Sequence, residues 1–171
     1  MPVPELLSFE EAATLPCAAV TAWVALTGHR RVTAGDTVLT QGSGGVAVFA
    51  LQFARLLGAR VIAMTSTAEK AERLKPLGAS DVINFSETPD WEAKARELTD
   101  GRGIDCLVEI GGPRTIAMSL GALAVGGHVS LIGANWCELY AIGNGLDPLL
   151  LTGRGITLGS ISVGSRPTSK P

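Results

Sequence analysis

A glycine cluster, Gly42-Ser43-Gly44-Gly45, stands between two runs of opposite texture and dictates a strand, a tight turn and a helix in succession. Before it, Thr37-Val38-Leu39-Thr40 is short and β-rich; after it, Val46 to Leu57 has the length of a helix. Gly58 tolerates the positive φ of a helix C-terminus, and Arg60 to Met64 supplies a second strand, so a complete βαβ unit is legible. The alternation goes on with a charged helix from Thr67 to Leu77, a strand at Asp81 to Phe85 and a helix from Pro89 to Thr99. A strand from Ile104 to Ile110, a helix from Pro113 to Leu123, a strand at His128 to Ile132 after a turn at Gly126-Gly127, and a last strand from Ile156 to Ile161 complete it. Strands built of unbroken Val, Ile and Leu are covered on both faces, as in parallel sheets flanked by helices. The expected fold is therefore α/β, a doubly wound parallel sheet of six strands in the order 3-2-1-4-5-6. Its ligand crevice is expected at the carboxyl ends, where strands 1 and 4 diverge.

Upstream, Ser8 followed by Phe9-Glu10-Glu11 spells a helix N-cap with acidic residues in the first turn. Pro16 is expected to interrupt that helix, and Ala18 to Leu26 to form another that stops near Gly28. At 171 residues the chain is the size of one domain. Residues 1–163 are assigned to it and 164–171 to a frayed tail. Fourteen basic against 16 acidic residues, with no basic cluster, argue against nucleic acid or anionic lipid as a partner. Every apolar run is broken well short of a membrane span and no basic-then-apolar leader opens the sequence. Three scattered cysteines, Cys17, Cys106 and Cys137, fit neither a disulfide framework nor a four-ligand structural zinc site. A soluble, cytoplasmic protein is expected.

The glycine turn carries the chemistry. Glycine lets backbone N–H groups approach a pyrophosphate, and the free donors at the helix start stabilise the anion, so Gly42, Ser43, Gly44, Gly45 and Val46 are candidate cofactor-binding residues. Ala47 takes the small position where helix and strand pack closely. An NAD-preferring site places Asp or Glu at the end of strand 2, about 20 residues beyond the glycines. Here that stretch is Met64-Thr65-Ser66-Thr67. Thr65, Ser66 and the nearby cation Lys70 suit a 2′-phosphate, which favours NADP over NAD, although NAD stays possible. Asp105 and Glu109 flank strand 4, while Gly111-Gly112 beyond it and Gly133-Ala134-Asn135 beyond strand 5 are further candidates for contact with the dinucleotide. His29 and His128 have no carboxylate at motif spacing and are expected in loop or cap roles; Trp23, Trp91 and Trp136 are expected to be packing residues.

Taken together, Leu15-Pro16-Cys17-Ala18-Ala19-Val20-Thr21-Ala22-Trp23, the Gly42 turn, Lys75-Pro76-Leu77-Gly78-Ala79, Val82-Ile83-Asn84 and Ile161 to Arg166 resemble medium-chain dehydrogenases/reductases. Within that superfamily the chain is most similar to the zinc-type alcohol dehydrogenase-like and quinone oxidoreductase branch. The resemblance implies a Rossmann fold and hydride transfer between NAD(P)H and an alcohol or carbonyl, a quinone or an activated alkene. It also implies Thr21 beside the nicotinamide, Ser66 and Lys70 beside the adenosine phosphate, and Gly133 to Asn135 along the outer side of the cofactor. Phe85 departs from the Tyr of related reductases and Ala47 from the commoner glycine. Cys17 aligns with a catalytic zinc ligand of true alcohol dehydrogenases; one cysteine cannot hold zinc, so no metal is expected and Cys17 is assigned to the core, with a zinc-ligand role in a longer parent as the less favoured alternative.

Full-length relatives carry a catalytic domain before this segment, so the chain is expected to bind cofactor with little turnover and to meet a small-molecule substrate only with that missing domain. A homodimer through the strand-6 edge is expected, aided by Leu146 to Leu151. Two alternatives stand beside this reading: a non-catalytic dinucleotide-binding sensor or scaffold module, and an S-adenosylmethionine-dependent methyltransferase. The methyltransferase would want a strand-2 acid, which is absent here.

Overall fold

The computed structural model describes residues 3–133 and 148–163. Helix α1 (Phe9–Ala13) starts with a capping box: Ser8 Oγ accepts from the Glu11 amide, and the Glu11 side chain accepts from the Ser8 amide. Pro16 does not break the path as expected. It lies in the first positions of a π-helical turn, Leu15–Ala19, where a missing N–H costs little, and that turn runs directly into α2 (Val20–Thr27).

The alternating part follows the expected sequence of elements and adds one unexpected helix, Pro148–Arg154, between the last two strands. It comprises β1 (Thr37–Thr40), α3 (Gly45–Leu56), β2 (Arg60–Thr65), α4 (Ala68–Leu74), β3 (Asp81–Asn84), α5 (Trp91–Glu97) and β4 (Ile104–Glu109). A short 3₁₀ turn, Gly112–Arg114, leads into α6 (Ile116–Ala122), β5 (Leu123–Ile132), α7 (Pro148–Arg154) and β6 (Thr157–Ile161). All strand pairs are parallel and the order is β3-β2-β1-β4-β5-β6, the doubly wound arrangement.

Helices cover both faces, so both faces of each central strand are apolar. Val38, Val61, Ala63, Cys106 and Val108 pack with Ala22, Ala25, Ala50 and Ala54 of α2 and α3. Leu39, Ile62, Met64 and Leu107 point the other way, onto Trp91, Ala95, Ile116 and Leu120 of α5 and α6. Alternate residues of one strand thus serve two cores, the reason its sequence shows no polar–apolar alternation.

Strand β5 begins five residues earlier than its glycine pair suggested. Leu123 pairs with Ile104, the register then shifts, and pairing resumes at His128 opposite Cys106. The intervening residues bulge outward at Gly126, φ 73°, which a glycine adopts without strain. Ala134, Asn135, Trp136, Cys137 and the tail from 164 lie outside the described residues. No described helix is long and apolar enough to cross a membrane.

Candidate functional site

The crevice forms where the topology requires it, at the carboxyl ends of β1 and β4. From β1 the chain passes through Gln41 into Gly42, whose φ of 78° turns it sharply into α3. A Cβ at Gly42 or Gly44 would meet nothing within 4 Å, so the turn leaves an open cradle beside its backbone. Helix α3 starts at Gly45 with Gly44 as its N-cap, no side chain satisfies its first N–H groups, and no acidic residue stands in its first turn. Those free donors and the positive end of a 12-residue helix suit an anion. Gly45 has a separate reason to be glycine: a Cβ there would come within 3.2 Å of Ala18 Cβ, so the π-helical turn lies against the start of α3. Ala47 is buried, as its packing role demands.

A cavity of about 400 Å³ adjoins the turn, lined by Gln41, Gly42, Met64, Phe85, Trp91, Ile110 and Gly111 among others. It joins the ends of β1 to β4 into one apolar slot with room for a flat ring. Trp91, expected only to pack, does so at 3% exposure and also forms part of this wall. Trp23 is half exposed and meets Phe53 edge to face, with ring centroids 5.6 Å apart.

At the end of β2 the structure separates residues that adjoin in sequence. Thr65 is buried, and its hydroxyl has no hydrogen-bond partner among the described residues. Ser66 is half-buried; Thr67 is exposed and caps α4 by accepting from the Lys70 amide at 3.3 Å. On α4, Arg73 pairs with Glu69 and Lys75 with Glu72, whereas the exposed Lys70 ammonium makes no ion pair among the described residues. Thr21 is buried in α2 and donates its hydroxyl to the Cys17 carbonyl at 2.7 Å. Gly133, φ 104°, stands exposed just beyond β5.

Beneath the crevice lies a polar knot that the sequence only half disclosed. Glu109 is completely buried. One of its carboxylate oxygens accepts from the amides of Gly111 (2.7 Å) and Gly112 (3.1 Å) and from the Thr115 hydroxyl (2.7 Å). The other accepts from Gln41 Nε2 (2.8 Å) and from the Ser119 hydroxyl. Gln41 Oε1 in turn accepts from the amides of Ile110 and Gly111, each at 3.0 Å. Gly111 is glycine because a Cβ would collide with the Thr115 side chain. The signal for Gln41, unremarked in the sequence, is a long polar residue directly between an apolar strand and its glycine turn.

The expectations for Cys17 and for His128 are corrected. Cys17 is exposed, not part of the core, because the π-helical turn directs it outward. The described residues also contain no group of three or more His, Cys, Asp or Glu placed to hold a metal ion, so these residues do not fit a zinc site. The histidines are not isolated: the rings of His29 and His128 have centroids 5.8 Å apart, and His29 lies flat over Gly159 of β6. His128 is buried, its Nδ1 2.7 Å from the Thr157 hydroxyl and its Nε2 without a partner among the described residues. Burial, reinforced by His29 and Arg30, pushes its pKa down to about 4. Burial also pushes the Cys106 thiol up to about 12, making it an inert core residue.

The family described as zinc-binding dehydrogenase matches residues 45–170. A zinc-type alcohol dehydrogenase-like protein of Schizosaccharomyces pombe is 43% identical over 173 aligned positions, covering 94% of this chain and 48% of that protein. Among solved structures, an NAD-dependent alcohol dehydrogenase superposes with a TM-score of 0.82 at 34% identity, covering 94% of this chain and 46% of its own. A quinone oxidoreductase from Thermus thermophilus, solved also in complex with NADPH, gives 0.78 at 33% identity, covering 95% of this chain and 50% of its own. This chain spans about half the length of these relatives.

Proposed function

The chain belongs to the zinc-binding dehydrogenase family, and from that premise we propose that it is the NADP(H)-binding domain of an oxidoreductase. The hydride acceptor or donor is an alcohol or carbonyl, a quinone or an activated alkene. The observation that carries the reading is the open glycine cradle at the uncapped start of α3, next to a β2 end with no carboxylate.

The turn from Gly42 to Val46 holds the pyrophosphate on backbone N–H groups, where the helix start adds partial positive charge. The adenine enters the slot beside Met64, Phe85, Trp91 and Ile110. Ser66 and Lys70 take the 2′-phosphate, and Lys70 is suited to it because no carboxylate of this chain neutralises it among the described residues. Thr65 is buried and supports this loop from beneath. Gly111, Gly112 and Gly133 line the path toward the nicotinamide, with Thr21 at its far side; Ala134 and Asn135 are assigned to the same contact from the sequence alone. The nicotinamide, when bound, supplies the hydride chemistry; the residues of this chain bind and orient it. Substrate-orienting groups are not among them, so this span by itself turns over little. Among the described residues β6 pairs only with β5, and that open edge suits pairing with a second copy.

Calorimetric titration with NADPH and NADH separately, then with Lys70→Ala, tests the reading. NADPH binds the parent more tightly, and the substitution weakens NADPH by about tenfold, as loss of one charge-assisted phosphate contact does, without weakening NADH. Equal binding of both cofactors, unchanged by Lys70→Ala, would overturn the preference for NADP.

A further inference from the structure

We propose that Glu109 and Gln41 are positioning residues for the dinucleotide, acting as a coupled pair that holds the Gly42 turn and the Gly111-Gly112 loop at one fixed separation across the crevice. The inference rests on the cofactor reading above and assigns to that site a support beneath it, in which Gln41 borders the slot and Glu109 is wholly buried.

The two residues close the same ladder. In β1 and β4, Val38 pairs with Cys106, Leu39 with Leu107 and Thr40 with Val108; continuing that register sets Gln41 opposite Glu109, and the Gln41 amide donates to the Val108 carbonyl at 3.4 Å. Beyond them the strands part, Gln41 into the glycine turn and Glu109 into the Gly111-Gly112 loop. Backbone pairing therefore ends where the ligand would begin, and only side chains can set the distance between the two loops. The contacts divide that task. Gln41 Oε1 holds the amides of Ile110 and Gly111, so the residue leading into one loop grips the other. Glu109 gathers Gly111, Gly112, Thr115 and Ser119 around itself and is tied back to Gln41 Nε2.

With a glutamine at 41, the polarity requires a carboxylate at 109. Five N–H and O–H donors converge on Glu109, a set that two acceptor oxygens satisfy and that the NH₂ of an amide does not. Gln41 is likewise fixed in orientation: if its amide were flipped, its NH₂ would face the amides of Ile110 and Gly111 and its oxygen would face the carboxylate. A buried network of this kind is rigid when complete and costly when one member is mismatched.

The opposite end of the ladder is an internal control. The same register sets Thr37 opposite Asp105; the Thr37 amide donates to the Asp105 carboxylate at 2.7 Å, and Arg102 clamps that carboxylate with two nitrogens. That bracket lies at the amino ends of the strands, remote from the crevice, and serves only the sheet.

The experiment compares Glu109→Gln, Gln41→Glu, the double exchange Gln41→Glu/Glu109→Gln, and Asp105→Asn, measuring NADPH affinity by calorimetry and stability by urea unfolding. Each single exchange sets like groups face to face and weakens NADPH by about tenfold or more. In the double exchange, the carboxamide that replaces the Glu109 carboxylate again offers an oxygen to the loop, and its NH₂ donates to the carboxylate that replaces the Gln41 amide, so affinity returns to within about threefold of the parent. Asp105→Asn lowers stability and leaves NADPH affinity unchanged. If the single variants do not fold, the folded double exchange decides: parental affinity supports the pairing, lost binding or a failure to fold overturns it. Parental affinity in folded Glu109→Gln overturns the positioning role while leaving the cofactor reading intact. A parent chain that does not bind NADPH overturns the cofactor reading and the inference with it.

Discussion

Burial of a neutral His128 should make this fold lose stability as the pH falls below neutrality. The ring is 1% exposed, projecting from β5 beside its β6 neighbour Thr157 with His29 close by, and its Nδ1 lies 2.7 Å from the Thr157 hydroxyl. Its pKa is pushed down from 6.5 to about 4 by burial first, then by His29 and Arg30. Above pH 6.5 neither the folded nor the unfolded chain carries the proton, and the fold is unpenalised. As pH falls from there, the unfolded chain takes up a proton that the folded one refuses, so stability is lost across the window down to about 4. At about 1.4 kcal/mol per pH unit, the loss amounts to about 3 kcal/mol. Urea unfolding at intervals from about pH 7.5 to about pH 4.5, on the parent and on His128→Gln, isolates the effect. Glu92, pushed up by burial and Asp90, opposes the trend in both proteins. Asp36, which burial raises but Arg30 and the Thr33 amide hold low overall, acts only toward the acid end. The parent should lose stability with falling pH more steeply than the variant. An identical fall in the two proteins would refute the assignment.

Two further outcomes follow from local geometry. Gly103 has φ 94°, and a Cβ there would stand 2.6 Å from the backbone of Leu123 and Ala124, so Gly103→Ala should cost at least ~2 kcal/mol in urea unfolding by prising β4 from β5; a smaller loss would show that the β4–β5 junction yields. Trp91 walls the slot assigned to adenine, so NADPH should quench its fluorescence and Trp91→Phe should remove the larger share of the change; quenching that survives would put the base elsewhere.

The glycine turn and the buried strands bracket the same crevice by different physics. The turn depends on backbone freedom at Gly42 and on the absence of side chains at Gly44 and Gly45. The floor depends on a complete set of hydrogen bonds around a carboxylate with no exposure to solvent. A substitution in the turn is expected to act on ligand affinity first, whereas one in the floor acts on affinity and stability together.

Local rules were sufficient for much of this protein. Predominantly apolar runs at Val38-Leu39, Val61 to Met64 and Cys106 to Val108 announce strands buried on both faces, and alternation with helical runs leads to the doubly wound order, since parallel strands need crossovers of one hand. The Gly42 turn, the capping residues Ser8 and Thr67, and the missing acid beyond β2 are equally local, because each depends only on what a few consecutive residues can do. What those rules miss is anything decided by residues distant in the chain. Pro16 reads as a break until the turn around it is seen to pack on Gly45, and Gly126-Gly127 reads as a strand boundary until Leu123 is seen pairing with Ile104. Cys17 has the composition of a core residue and faces outward, and two histidines far apart in sequence meet at one edge of the sheet. The Gln41–Glu109 knot belongs to the same class: the register of β1 against β4 alone brings a glutamine and a glutamate 68 positions apart to a single rung. A hydrogen bond needs its donor and acceptor within about 3 Å of each other, and only the folded chain sets that distance.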